Sequence, residues 1–154
     1  MTEKVARGFV SRLFEWSGAL VGRKLSLIFV VDDEKIIATT LAAILSQSGF
    51  RAEAFTNPLD ALKKAHTEAP DLLLSDVVMP EMSGIDLAIQ LREVCPSCRI
   101  LLFSGQAATS DMLDVARKQG HEFNILSKPV HPTDLLAAIS SLSASKADGL
   151  DQIN

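Results

Sequence analysis

The stretch Leu25-Ser26-Leu27-Ile28-Phe29-Val30-Val31-Asp32-Asp33 decides the fold, because an almost unbroken apolar run ends abruptly in two carboxylates. Such a run is what a strand of a parallel sheet looks like when helices cover both of its faces. The same punctuation recurs downstream. Asp76 closes Asp71-Leu-Leu-Leu-Ser75, and Lys128 closes Glu122-Phe-Asn-Ile-Leu-Ser127. Residues that follow parallel strands collect at one edge of the sheet, beyond the carboxyl ends, where open α/β sheets place their ligands. Asp32, Asp33, Asp76 and Lys128 therefore read as one site, not as solubilising charge.

Working outward, short aliphatic runs alternate with longer segments of helical period from Leu25 onward, which is the pattern of repeated βα units. Strands are expected at 25–31, 51–55, 71–75, 99–103 and 122–126, with the first, third and fourth, the most continuously apolar, at the sheet centre. Helices are expected at 34–47, 58–68, 84–94, 109–118 and 133–143. Asn57-Pro58 supplies a cap and a first-turn proline, and Pro70 stops that helix from continuing. Ile37, Leu41, Ile44 and Leu45 make one apolar stripe, and Leu135, Leu136, Ile139 and Leu142 another, both facing the core.

The 154 residues, 47% hydrophobic, fit one globular domain over 25–143 with a polar, mobile tail at 144–154. A net charge of −4 argues against direct nucleic-acid binding, which rests on phosphate neutralisation. No apolar stretch is long enough for a membrane span and no secretory signal is evident, so a cytoplasmic protein is expected. Residues 1–24 form a separate extension with five basic against two acidic residues. Within it Val5, Phe9, Leu13, Trp16 and Leu20 line one face of an expected helix, which would dock on the domain, mediate a homodimer or lie on a membrane surface.

Cys95-Pro96-Ser97-Cys98 has the spacing of a redox pair in the wrong context, since it follows a helix and precedes a strand. Buried or loop thiols are the expectation, and zinc lacks a histidine partner there. His66, His121 and His131 share no constellation and are expected in surface or capping roles.

Two carboxylates about 4 Å apart repel by ~4 kcal/mol at an effective dielectric of 20, so three together recruit protons or a cation. An all-oxygen donor set favours Mg²⁺, which keeps waters and binds phosphate oxygens. The site thus anticipates a phosphate-bearing ligand. Asp76 beside a metal and a lysine can act as nucleophile toward a phosphoryl group, with Lys128 and Ser104 stabilising the charge on the phosphoryl oxygens.

Asp32-Asp33 after the first strand, Asp76 with its Met79-Pro80-Glu81-Met82-Ser83-Gly84 loop, Ser104-Gly105 after the fourth and Lys128-Pro129 after the fifth occur in order. Together they resemble the receiver domain of two-component response regulators over roughly residues 24–143. The resemblance implies a flavodoxin-like fold with strand order 2-1-3-4-5. It implies phosphoryl transfer from a histidine kinase or phosphotransfer protein onto Asp76, and a surface switch read by a downstream protein. It further implies Mg²⁺ held by Asp33, Asp76 and the Val78 carbonyl, with Asp32 acting through water, Lys128 pairing with the phosphoryl group and Ser104 turning inward to it.

One departure stands out. Where the family carries an aromatic residue three before the lysine, this chain has Ile125, and Phe123 lies two residues earlier on the same face of a regular strand. A stand-alone receiver, catalysing no more than its own phosphoryl transfer and dephosphorylation, is the leading expectation. The rivals are a degenerate receiver acting as a constitutive interaction module and a Mg²⁺-dependent phosphatase with an aspartate nucleophile. The phosphatase would need an acid two residues after Asp76, where Val78 stands.

Overall fold

A computed structural model of the protein describes residues 26–105 and 109–151, with side chains of the last helix described to Leu142. The expectations for residues 1–24 fall outside the described residues. Five parallel strands, β1 (Leu27–Val31), β2 (Arg51–Phe55), β3 (Leu72–Asp76), β4 (Arg99–Ser104) and β5 (Asn124–Ser127), form one sheet in the order β2-β1-β3-β4-β5. The helices are α1 (Lys35–Gln47), α2 (Pro58–Ala65), α3 (Gly84–Val94), α4 (Thr109–Lys118) and α5 (Pro132–Asp151). This is the flavodoxin-like α/β architecture, with β1, β3 and β4 central as their apolar runs require.

Strand alternation divides the core into two layers. Phe29, Val31, Leu73, Ile100 and Leu102 pack toward α2, α3 and Ala116 of α4. Ile28, Val30, Leu74, Leu101 and Phe103 face the other way, against Leu41 and Leu45 of α1 and Leu135 and Ile139 of α5. A one-residue slip of any central strand would exchange its two faces, so packing on both sides fixes the register.

Local chemistry sets the ends. Asn57 accepts a hydrogen bond from Leu59 N at 2.9 Å as the cap of α2, with Pro58 beginning the helix. That helix stops at Ala65, short of the expected 68, where Thr67 Oγ1 donates to the Lys64 carbonyl at 2.9 Å. The largest difference lies at the C-terminus, where the backbone of α5 stays helical through Asp151 instead of ending at 143. Ala144, Lys146 and Ala147 are good helix formers and no proline intervenes, so the polar composition that reads as a tail does not stop the helix.

Candidate functional site

The ladder itself assembles the site. Val31 is level with Ser75 and Asp76 with Phe103, while Ser104 is level with Ser127. The next residues along β1, β3 and β5 therefore bring Asp32, Asp76 and Lys128 to one sheet edge. Pairing continues past the strands through Val77 N donating to the Phe103 carbonyl at 3.1 Å and Lys128 N to the Ser104 carbonyl at 3.0 Å. These backbone anchors give the side chains fixed origins.

One oxygen from each of Asp32, Asp33 and Asp76 lies within 4.8 Å of the others. Asp32 and Asp76 are buried, and Asp33 is exposed. Lys128 Nζ donates to Asp76 Oδ2 at 3.1 Å, stands 3.6 Å from Asp32 Oδ2 and lies 5.1 Å from the centre of the Phe103 ring. Glu34 N donates to Asp32 Oδ1 at 2.8 Å. Asp32 Oδ2, wholly buried, has no hydrogen-bond partner. Burial is the main cause that raises the Asp32 pKa above 3.8, opposed by the Glu34 amide and reinforced by Asp76. Burial also works against the Lys128 ammonium, but the hydrogen bond and charge of Asp76, joined by Asp32, outweigh it and raise the Lys128 pKa above 10.5.

The three carboxylates suit a hard cation on the strength of that orphaned oxygen. A buried carboxylate oxygen without a hydrogen bond is costly even beside the Lys128 ammonium, and an all-oxygen cluster is what Mg²⁺ accepts. Asp33, Asp76, Val78, Ser104 and Lys128 line a cavity of about 560 Å³. A second cavity of about 650 Å³ shares Gly105 and Lys128 with it and is walled by Ile36, Ile37, Ile44 and Val130.

The loop after Asp76 is held by Gly84 N donating to the Val77 carbonyl at 2.8 Å, while Ser75 Oγ donates to the Asp76 carbonyl at 2.9 Å. A Cβ on Gly84 would meet the Asp76 carbonyl oxygen at 2.0 Å, so only glycine lets α3 begin this close to the acceptor. Glu81, at φ 70°, turns the loop through the left-handed region that residues with a side chain seldom occupy.

Every side chain singled out in the sequence for phosphoryl chemistry lies at this edge, and Val78 borders the same cavity. Ile125 is on β5 and 36% exposed. Phe123 precedes β5, at the other end of the strand from Ser127. It is pinned there beneath the Arg92 guanidinium at 4.4 Å and stacked on His121 at 6.3 Å, so it does not stand in for an aromatic at 125. Cys98 is buried and its thiol is pushed up to about 12, chiefly by burial, which leaves it unreactive at neutral pH. Two contributors escaped the sequence reading. The close contact of Gly84 was hidden inside a loop noted as a whole, and Thr109 Oγ1, 2.5 Å from Ser104 Oγ, looks in sequence like any helix-start threonine.

Comparisons with known proteins agree with this geometry. The family model described as the response regulator receiver domain matches residues 28–140. The chain is 32% identical over 115 residues to the response regulator receiver protein CpdR of Brucella abortus, covering 75% of this chain and 94% of that protein. It is 32% identical to the transcriptional regulatory protein CreB of Escherichia coli over 75% of this chain but 49% of that protein, so it spans about half the length of that longer relative. A CheY-like receiver domain structure from Methanospirillum hungatei superposes with a TM-score of 0.72 at 25% identity, over 82% of this chain and 99% of that one. With the family model covering most of the chain and the acidic edge built as described, this protein belongs to the response regulator receiver domain family.

Proposed function

We propose that the chain accepts a phosphoryl group on Asp76 from the phosphohistidine of a histidine kinase or phosphotransfer protein, and that the phosphorylated state presents a changed surface to a downstream protein. The observation that carries this reading is the position of Lys128 Nζ, 3.1 Å from Asp76 and 3.6 Å from Asp32, beside a cavity wide enough for a phosphoryl group. The Lys128 ammonium between two buried carboxylates neutralises part of their charge and leaves the rest for a cation. Asp33 and Asp76, with the Val78 carbonyl, would hold Mg²⁺, and Asp32 would reach it through water. Bound there, the ion would neutralise negative charge on the phosphoryl oxygens.

The residues of the chain perform the remaining work. Asp76 supplies the nucleophilic oxygen: its O–P bond forms as the P–N bond to the donor imidazole breaks, and the electron pair returns to the imidazole nitrogen. Lys128 can turn from the Asp76 carboxylate to a phosphoryl oxygen without leaving the site, and Ser104 can donate to another. The apolar cavity walled by Ile36, Ile37 and Ile44 adjoins the acceptor and fits a protein donor better than a small soluble one. Receiver domains are signalling modules, and a change in partner affinity requires that the two states differ in binding free energy.

Incubation with acetyl phosphate and Mg²⁺, followed by intact-mass measurement, tests the reading. Wild type should gain one phosphoryl group and Asp76→Asn none. Equal behaviour of the two proteins would favour an interaction module that works without phosphorylation.

A further inference from the structure

Ser104 is the last residue of β4 and Thr109 the first of α4, and their hydroxyl oxygens are 2.5 Å apart. Thr109 is 4% exposed, whereas Ser104 borders the cavity that contains Asp76 and Lys128. The pair thus adds a side-chain link between the acceptor site and a helix. Ile125 has no polar atom to follow Ser104, and Phe123 is fixed at the far end of β5 by Arg92 and His121. Any movement of Ser104 needs a different carrier to reach the surface.

We infer that Thr109 is a positioning residue that holds the Ser104 hydroxyl for the phosphoryl group on Asp76 and transmits the displacement of Ser104 into the first turn of α4. The inference rests on the proposed phosphorylation of Asp76. A serine hydroxyl has one proton to give and can accept two. Where Thr109 donates to Ser104 Oγ, Ser104 can donate in turn to a phosphoryl oxygen, and the chain of two hydroxyls polarises toward the incoming negative charge. Thr109 is too buried to find water readily once Ser104 moves away, and a buried hydroxyl without a partner is penalised. Ser104 therefore moves with Thr109, and Thr109 is itself the start of the helix.

The test uses the full chain with beryllofluoride and Mg²⁺ as the phosphoryl mimic. The readouts are apparent affinity and hydrogen–deuterium exchange over residues 109–118. Wild type, Thr109→Val and Thr109→Ser are compared, each with and without Ser104→Ala. Thr109→Val should weaken binding about three- to tenfold, the factor one ordinary hydrogen bond carries, and abolish the exchange response of α4. Thr109→Ser should restore both, and Thr109→Val should add nothing to Ser104→Ala, a non-additivity that a merely structural role would not produce. An unchanged α4 response in Thr109→Val, tighter binding by that variant, or an undiminished effect in the Ser104→Ala background overturns the inference. Wild-type protein that fails to bind, or binding that survives Asp76→Asn, removes the phosphorylation reading and this inference together. Binding lost in Asp76→Asn but indifferent to Thr109 removes this inference alone.

Discussion

The two edges of the sheet carry charge in opposite ways. At the edge where the strands begin, Asp71 accepts hydrogen bonds from Ser26 N, Ser26 Oγ and Leu27 N at 3.0, 3.0 and 2.9 Å. Arg51 clasps Glu68 at 2.7 and 2.8 Å, and Arg92 donates to the Glu122 carbonyl at 2.9 Å. Each of these groups has partners, and each ties two elements together. At the edge where the strands end, three carboxylates cluster, two of them share the Lys128 ammonium, and a buried oxygen of Asp32 has no hydrogen bond. Satisfied charge at one end holds the fold, and the carboxylates at the other, only partly neutralised by Lys128, are grouped closely enough that they could hold a metal ion.

That contrast breaks first at Gly84, the residue on which the acidic edge depends for its shape. Gly84→Ala should destabilise the protein by about 3 kcal/mol or more, because the new methyl group meets backbone and not a yielding side chain. Urea denaturation measures this, and a cost below about 1 kcal/mol would mean that the loop yields easily. Asp71→Ala should come next, at about 2 kcal/mol from the lost charged acceptor of two amides and a hydroxyl, with beryllofluoride affinity unchanged. A loss of beryllofluoride affinity there would blur the division between the edges.

The smallest effect has the opposite sign. The pKa of Asp32 is raised in the folded protein, so folding is favoured when Asp32 holds its proton. That stabilisation is complete below the unfolded value near 3.8 and is lost as pH rises through the raised value. At neutral pH without metal, ionised Asp32 works against the fold. Asp32→Asn, which keeps an oxygen for the Glu34 amide, should stabilise the metal-free protein at pH 7 by on the order of 1–2 kcal/mol, the repulsion among close carboxylates less the attraction of Lys128. The difference from wild type should shrink as pH falls toward the ordinary carboxylate range. A destabilised variant at pH 7 would show that Asp32 is held favourably as an anion.

The sequence made the sheet legible because its central strands are apolar on both faces and end in charge. Leu27–Val31, Leu72–Asp76 and Arg99–Ser104 lie within a residue or two of their expected bounds, and Arg51–Phe55 matches its own. Asp32, Asp33, Asp76, Ser104 and Lys128 were legible for the same reason, since the position after a parallel strand specifies an edge. What stayed hidden depends on distance across the fold. No periodicity reports that the Gly84 Cα sits against the Asp76 carbonyl, that Asp32 Oδ2 lacks a hydrogen bond, or that Thr109 pairs with Ser104. The long α5 was missed because its polar, alanine-containing end carries no apolar stripe to mark a helix.

Thermal denaturation across a MgCl₂ titration at pH 7, with wild type set against Asp33→Asn and Asp76→Asn, tests most directly whether the orphaned edge is a ligand site. The midpoint of wild type should climb with Mg²⁺ as the ion binds the folded state alone, and the climb should be weaker in both variants. A wild-type midpoint that ignores Mg²⁺, or one that the Asp33→Asn and Asp76→Asn proteins reproduce in full, would contradict the account.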